Sequence, residues 1–231
     1  MAAAGYDTAL IGKSHLQNVT QFPTQFERKT HRKGYIAPPP ELADAIRSDL
    51  DAPHYQYEQR RYWMQDNPSV PAPFYGFEHY DSVLRHGTNA GGHYEEWLKQ
   101  VAPEVLGLRG RDTQLDHDYI VPQAVRTRVP EEYYSTTYIA NQACAWLEER
   151  KDSDKPFFLM VSFPDPHHPF NPPGKYWDMY RPEDREIPRA YTDPSWNPPD
   201  YVLQAESERA ADPTLGQMTG YSLAVTAREA Q

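Results

Sequence analysis

Two short stretches of this sequence hold the residues best suited to chemistry. In Gly5-Tyr6-Asp7-Thr8-Ala9-Leu10-Ile11-Gly12-Lys13-Ser14-His15, a cation and an imidazole stand two residues apart. In Pro164-Asp165-Pro166-His167-His168-Pro169-Phe170-Asn171-Pro172-Pro173, two adjacent histidines are set among prolines. A lysine offers charge to an anion, and a histidine can give or take a proton near neutral pH. Brought together, these groups would suit an anionic ligand. The same residues also read more plainly. Lys13 and His15 fit a solvated lysine and an incidental surface histidine, and His167 and His168 fit structural histidines of a Pro-rich loop. Metal binding through His15, His167 and His168 is a third option, but no carboxylate or thiol stands at a spacing that completes a ligand set.

The flanking residues indicate the elements that position these stretches. Ala2-Ala3-Ala4 favours helix, and Gly5 is the residue expected where a helix stops in the left-handed region. Thr8 to Ile11 is an apolar run with β-branched ends, expected as a buried strand ended by Gly12. If the chain stays extended past Gly12, Lys13 and His15 point to one side. Tyr134 to Arg150 is expected as the strongest helix. Ser135 and Thr136 are candidate caps, and Ile139, Ala143, Trp146 and Leu147 share a face. Cys144 in that helix reads as packing rather than as a nucleophile. After Lys155-Pro156 the run Phe157 to Phe163 is expected as a fully buried strand. Strand, long insertion, helix and strand fit an α/β crossover, which would bring the loop after Phe163 to the sheet edge that carries Lys13 and His15. Prolines would hold His167 and His168 stiffly there.

Composition bounds the function class. The chain has 231 residues, a net charge of −10, 23 prolines, 17 tyrosines and one cysteine. That length allows one sizeable core. The acidic balance disfavours a general nucleic-acid partner, and no apolar run has the length of a membrane span. One cysteine leaves no intrachain disulfide and no sign of compartment. No signal peptide is visible, and a helix end followed at once by a core strand reads as the middle of a longer protein. The prolines and tyrosines imply long ordered loops with aromatic packing.

Along the rest of the chain, Arg28, Lys29, His31, Arg32 and Lys33 form a basic cluster, expected as a solvated loop, and residues 41–50 read as a short helix. The aromatics of 52–73 read as packing, with a stacking platform for nucleotides or sugars, formed with Arg60 and Arg61, as the alternative. Residues 74–81 read as a turn entering a strand, and Gly91-Gly92-His93-Tyr94 as the lead into a helix. His86, His93 and His117 are too scattered for a metal set and read as structural or surface residues. Residues 101–130 read as an excursion turning at Gly107, Gly110 and Pro122. Residues 175–213 read as a Pro-rich extension, and 224–231 as the start of another helix.

Taken as wording, Gly-Tyr-x-Thr-Ala-x-x-Gly-Lys-x-His closely resembles the second signature of the sulfatases, in the alkaline phosphatase superfamily. Ser14 stands where that family usually has an aromatic residue. The stretch from Pro156 to Pro173 resembles the sulfatase segment with an active-site histidine, its Pro-His-x-Pro matched by Pro166-His167-x-Pro169. Gly76-Phe77-Glu78 is similar to the family's Gly-Phe-Asp segment. The doubled histidine most resembles the arylsulfatase and phosphonate monoester hydrolase branch.

The resemblance implies an α/β fold: part of an alkaline-phosphatase-like mixed sheet flanked by helices, with long Pro/Tyr-rich loop insertions. It implies one incomplete domain over residues 1–231 of a sulfuric ester hydrolase acting on a small-molecule or carbohydrate sulfate ester. A phosphonate or phosphate ester hydrolase, or a non-catalytic anion- or sugar-binding domain, is the alternative. By resemblance Lys13 contacts a sulfate oxygen and the nucleophile, His15 orients or deprotonates the nucleophile's hydroxyl, and His167 donates to the ester oxygen. His168 lies beside it on the substrate side, at a variable position. The family also uses a formylglycine nucleophile and a divalent cation, usually calcium. Neither the Cys/Ser-x-Pro/Ala-x-Arg motif nor the family's Asp/Asn ligand pairs occur in this sequence, so both groups are expected from outside the chain, and the chain alone is expected to be inactive.

Overall fold

The computed structural model describes residues 1–19, 53–119 and 123–186, with isolated positions from 188 to 207. The basic cluster of 28–33 and the expected helices at 41–50 and 224–231 lie outside the described residues, as does Pro122. The described chain forms two compact units. The first takes residues 1–19, 53–85, 90–97 and 139–163; the second takes 86–89, 98–119, 123–138 and the described residues from 164 onward.

The first unit is built on a four-stranded mixed sheet. Its strands are β1 (Asp7–Gly12), β2 (His79–Leu84), β3 (Gly91–Gly92) and β4 (Phe157–Ser162), in the order β3-β2-β1-β4. β1 runs parallel to both β2 and β4, and β3 returns antiparallel to β2. Two helices accompany the sheet, α1 (His93–Val101) and α2 (Ser135–Glu148). This is the α/β class and mixed sheet that the sequence led us to expect. No helix among the described residues is long and apolar enough to cross a membrane.

β1 is central because its residues tolerate no water. Thr8, Ala9, Leu10 and Ile11 are buried. Thr8 satisfies its hydroxyl by donating to Gly76 O at 2.9 Å and accepting from Glu78 N at 3.0 Å, which fastens the chain entering β2 to β1. That approach is a tight hairpin. Phe74 and Phe77 exchange two backbone bonds of 2.9 Å around Tyr75 (φ 49) and Gly76 (φ 87), the paired left-handed residues such a turn requires. Before β1, Ala2–Ala4 is a single 3-10 turn closed by Gly5 at φ 85, as expected. The aromatics of 53–74 are used in packing: Tyr55, Trp63 and Phe74 are buried, and Trp63 Nε1 donates to Tyr57 O at 2.7 Å.

Three local expectations fail. β4 is not fully buried. Among the described residues it is an edge strand paired with β1 alone, and Phe157 and Phe158 are 49% and 41% exposed. Its apolar run favours burial, but burial needs a covering element, and none of the described residues supplies one over most of it. In α2, Ile139, Ala143 and Trp146 are buried while Leu147 and Cys144 are exposed. Leu147 and Cys144 each adjoin a buried residue in sequence, and one residue is a 100° step around a helix. Ser135 and Thr136 lie inside α2 rather than capping it. Thr136 Oγ1 donates to Asp165 at 2.7 Å, and the buried Ser135 Oγ has no partner among the described residues.

In the second unit the buried apolar residues include Leu98, Ala102, Val105, Val125, Val129, Tyr134 and Tyr138. The Pro-rich loop of 164–173 is tied down along its length. Val125 N donates to Phe170 O at 3.0 Å, and Phe170 N donates to Gln123 O at 2.8 Å. The Asp165–Pro166 and His168–Pro169 peptide bonds are cis.

Candidate functional site

The first cluster of candidate residues leaves the carboxyl end of β1. Gly12 ends the strand at φ 111, and a Cβ there would stand 1.9 Å from Ser162 O, so only glycine lets β1 turn this close to β4. Lys13 N then donates to Ser162 O at 3.0 Å. Beyond this point the chain is no longer extended. His15 sits at φ 62, so the period-two geometry that would have aimed Lys13 and His15 to one side does not hold. Lys13 is half-buried and His15 is exposed.

Ser14, where an aromatic residue was expected from the resemblance, has a defined task. Its hydroxyl donates to Glu58, a carboxylate only 2% exposed. With its hydrogen given away, Ser14 Oγ accepts from Tyr80 Oη at 3.1 Å. The other oxygen of Glu58 accepts from Gln17 N at 2.6 Å. Burial lowers the proton affinity of the Lys13 ammonium, and the nearby Glu58 charge opposes that shift. Burial pushes the Tyr80 phenol up, so it stays a neutral donor. Glu58 was not singled out from the sequence. It lies 44 residues from Ser14 in an aromatic loop, with no local pattern to mark it.

The second cluster lies on the Pro-rich loop. His167 N donates to Pro164 O at 3.1 Å, and His167 Nδ1 stands 2.7 Å from His168 O. A carbonyl oxygen only accepts, so Nδ1 carries the hydrogen and Nε2 is the nitrogen left to exchange a proton with a ligand. His86 joins this cluster. Its ring lies on that of His167, with centroids 3.4 Å apart and planes 3° from parallel, and 6.2 Å from that of His168. Sequence spacing had placed His86 among scattered structural histidines. His93 is structural as expected: its Nδ1 accepts from Ser82 N at 2.9 Å, and burial pushes its pKa down to about 4.

Among the described residues no three His, Cys, Asp or Glu side chains are grouped to hold a metal ion. The first unit offers a half-buried cation and an exposed imidazole, groups suited to an anion, and the second offers an imidazole of fixed tautomer, suited to proton transfer.

Comparison with known proteins gives this chemistry a family. A sulfatase family model matches residues 1–223. An arylsulfatase of Clostridium perfringens is 43% identical over 58 residues, 25% of this chain and 12% of that protein. The multifunctional alkaline phosphatase superfamily protein PehA of Trinickia caryophylli is 34% identical over 97 residues, 41% of this chain and 18% of that protein. Human iduronate 2-sulfatase is 32% identical over 108 residues, 44% of this chain and 20% of that protein. The matched segments thus span a fifth or less of the length of these relatives.

Proposed function

This chain belongs to the sulfatase family of hydrolases, and from that premise we propose that it is part of an enzyme that hydrolyses sulfate esters, with Lys13, His15 and His167 as its contribution to the reaction. Lys13 holds a sulfate oxygen by charge. Burial strengthens such an interaction by removing competing water. His15 orients or deprotonates the hydroxyl of the nucleophile. His167 gives a proton from Nε2 to the ester oxygen as the alcohol departs, which requires the imidazolium form before that step. His168 serves the substrate side of the same loop. The reading treats the chain as one incomplete domain and assigns the formylglycine nucleophile and the divalent cation to residues outside it.

One observation supports the reading: the lysine and the histidines stand in the two stretches that resemble the family's signatures, within a family match that spans nearly the whole chain. A second substrate class, phosphonate or phosphate esters, is supported by the resemblance of the doubled histidine to that branch and by the match to a multifunctional alkaline phosphatase superfamily protein.

The test is hydrolysis of 4-nitrophenyl sulfate and of a phenyl phosphonate ester, with calcium or manganese added. The chain alone is expected to be inactive, and the protein with its remaining segments active. In the active form Lys13→Ala and His167→Ala should each lower the rate by roughly two orders of magnitude or more, the scale of losing an electrostatic or acid group. Unchanged rates in both variants would remove these residues from the reaction, and turnover by the chain alone would mean that it carries its own nucleophile.

A further inference from the structure

We propose that His86 is a positioning residue for His167, holding the plane of the imidazole whose Nε2 meets the substrate; this rests on the role given to His167 above. The hydrogen bond of Nδ1 to His168 O fixes one edge of the His167 ring and its tautomer. An edge contact leaves the ring free to rock about that bond. The face-to-face ring of His86, 3.4 Å away, removes that freedom.

The surrounding residues build this stack. His86 is flanked by Arg85 at φ 61 and Gly87 at φ 52 and opens a 3-10 turn, Gly87–Asn89, which Asn89 N closes by donating to His86 O at 3.1 Å. A Cβ at Gly87 would meet the Asn171 amide at 2.5–2.9 Å, so glycine is what lets the turn reach the histidine loop. Asn171, 1% exposed, fastens the two together. Its amide oxygen accepts from Thr88 N at 2.7 Å and Thr88 Oγ1 at 3.1 Å, while its nitrogen donates to Pro169 O and Tyr134 Oη at 2.9 Å. At the loop's other end Asp165 accepts from Thr136 Oγ1 at 2.7 Å. The turn bearing His86 and the loop bearing His167 are therefore held together by groups other than the two rings.

A metal does not explain the pair. Imidazole lone pairs lie in the ring plane, and an ion sits about 2 Å from the nitrogen. Rings parallel at 3.4 Å cannot direct both lone pairs at one ion.

The experiment measures kcat and KM for 4-nitrophenyl sulfate and the phenyl phosphonate ester in the full-length protein and its His86→Ala and His86→Phe variants. The carbon-bound ring protons of His167 are followed by NMR in each. His86→Ala should lower kcat about tenfold or more with little change in KM, the scale of a mispositioned catalytic group. It should also abolish the upfield ring-current shift of the His167 protons. His86→Phe keeps an aromatic face and should restore both, within about threefold in kcat. An unchanged kcat in His86→Ala, or a His86→Phe variant as slow as His86→Ala, overturns the positioning role. A wild-type protein that cleaves neither ester overturns the proposed reaction and the catalytic consequence with it. The His167 shifts would still decide whether the stack exists.

Discussion

At the scale of single residues, the local chemistry turns on Lys13 and its buried neighbour. Glu58 opposes the burial that lowers the lysine's proton affinity, and its charge is held in place by Ser14 and Gln17. Neutralising it leaves burial unopposed. Glu58→Gln should therefore move the alkaline loss of activity to lower pH, while Lys13→Arg should remove that limb because a guanidinium keeps its proton. Glu58 accepts from Ser14 and Gln17 through both oxygens, whereas glutamine has one acceptor oxygen, so Glu58→Gln should cost about 1–3 kcal/mol of stability. A pH–rate profile beside thermal unfolding separates the two effects. An unmoved alkaline limb in Glu58→Gln would show that Lys13 is not the titrating group. Sequence spacing brought out Lys13, but it gave no hint of Glu58. The resemblance flagged Ser14 as a departure, and only the contact with Glu58 shows what the hydroxyl does.

At the scale of elements, the joint between β2, β3 and α1 depends on an imidazole that must stay neutral. His93 opens α1, and its Nδ1 accepts from Ser82 N and from Ser82 Oγ at 3.0 Å. Its pKa in the fold, about 4, is below the ordinary histidine value of 6.5, chiefly through burial and then through the charge of His79. A depressed value means that the unfolded chain binds the proton more readily. The stability contributed is complete above pH 6.5 and is lost as pH falls toward 4, about 3 kcal/mol in all. Denaturant unfolding between pH 7 and 4 should show this loss. His93→Asn, which keeps an acceptor without the titration, should flatten it, and an equally steep loss in His93→Asn would assign the effect elsewhere. From the sequence, Gly91-Gly92-His93-Tyr94 was legible as the start of a helix, and the structure begins α1 at His93. What the imidazole accepts from was not legible, because Ser82 comes from another strand.

At the scale of the whole molecule, β4 is the conspicuous feature. Phe158, Met160 and Val161 are exposed on an edge strand in a chain of net charge −10. Exposed apolar edges promote association. The chain by itself should bind an apolar dye and associate as its concentration rises, and Phe158→Lys with Met160→Lys should reduce both without loss of secondary structure. Sedimentation and dye fluorescence would check this, and equal behaviour of the variant would acquit β4. The sequence by itself determined the properties that depend on neighbours along the chain: the strand from Thr8 to Ile11, the Gly5 and Gly12 breaks, the helix before β4, and the wording that resembles the family to which the chain belongs. Hydrophobic runs and backbone preferences act over a few residues, so they are written locally. Only the tertiary structure decided the rest. Whether an apolar strand is covered depends on what packs against it, so β4 is exposed although its composition favours burial. Glu58 reaches Ser14, and His86 reaches His167, because distant segments are brought into contact by folding, and no period or spacing along the chain encodes such a meeting.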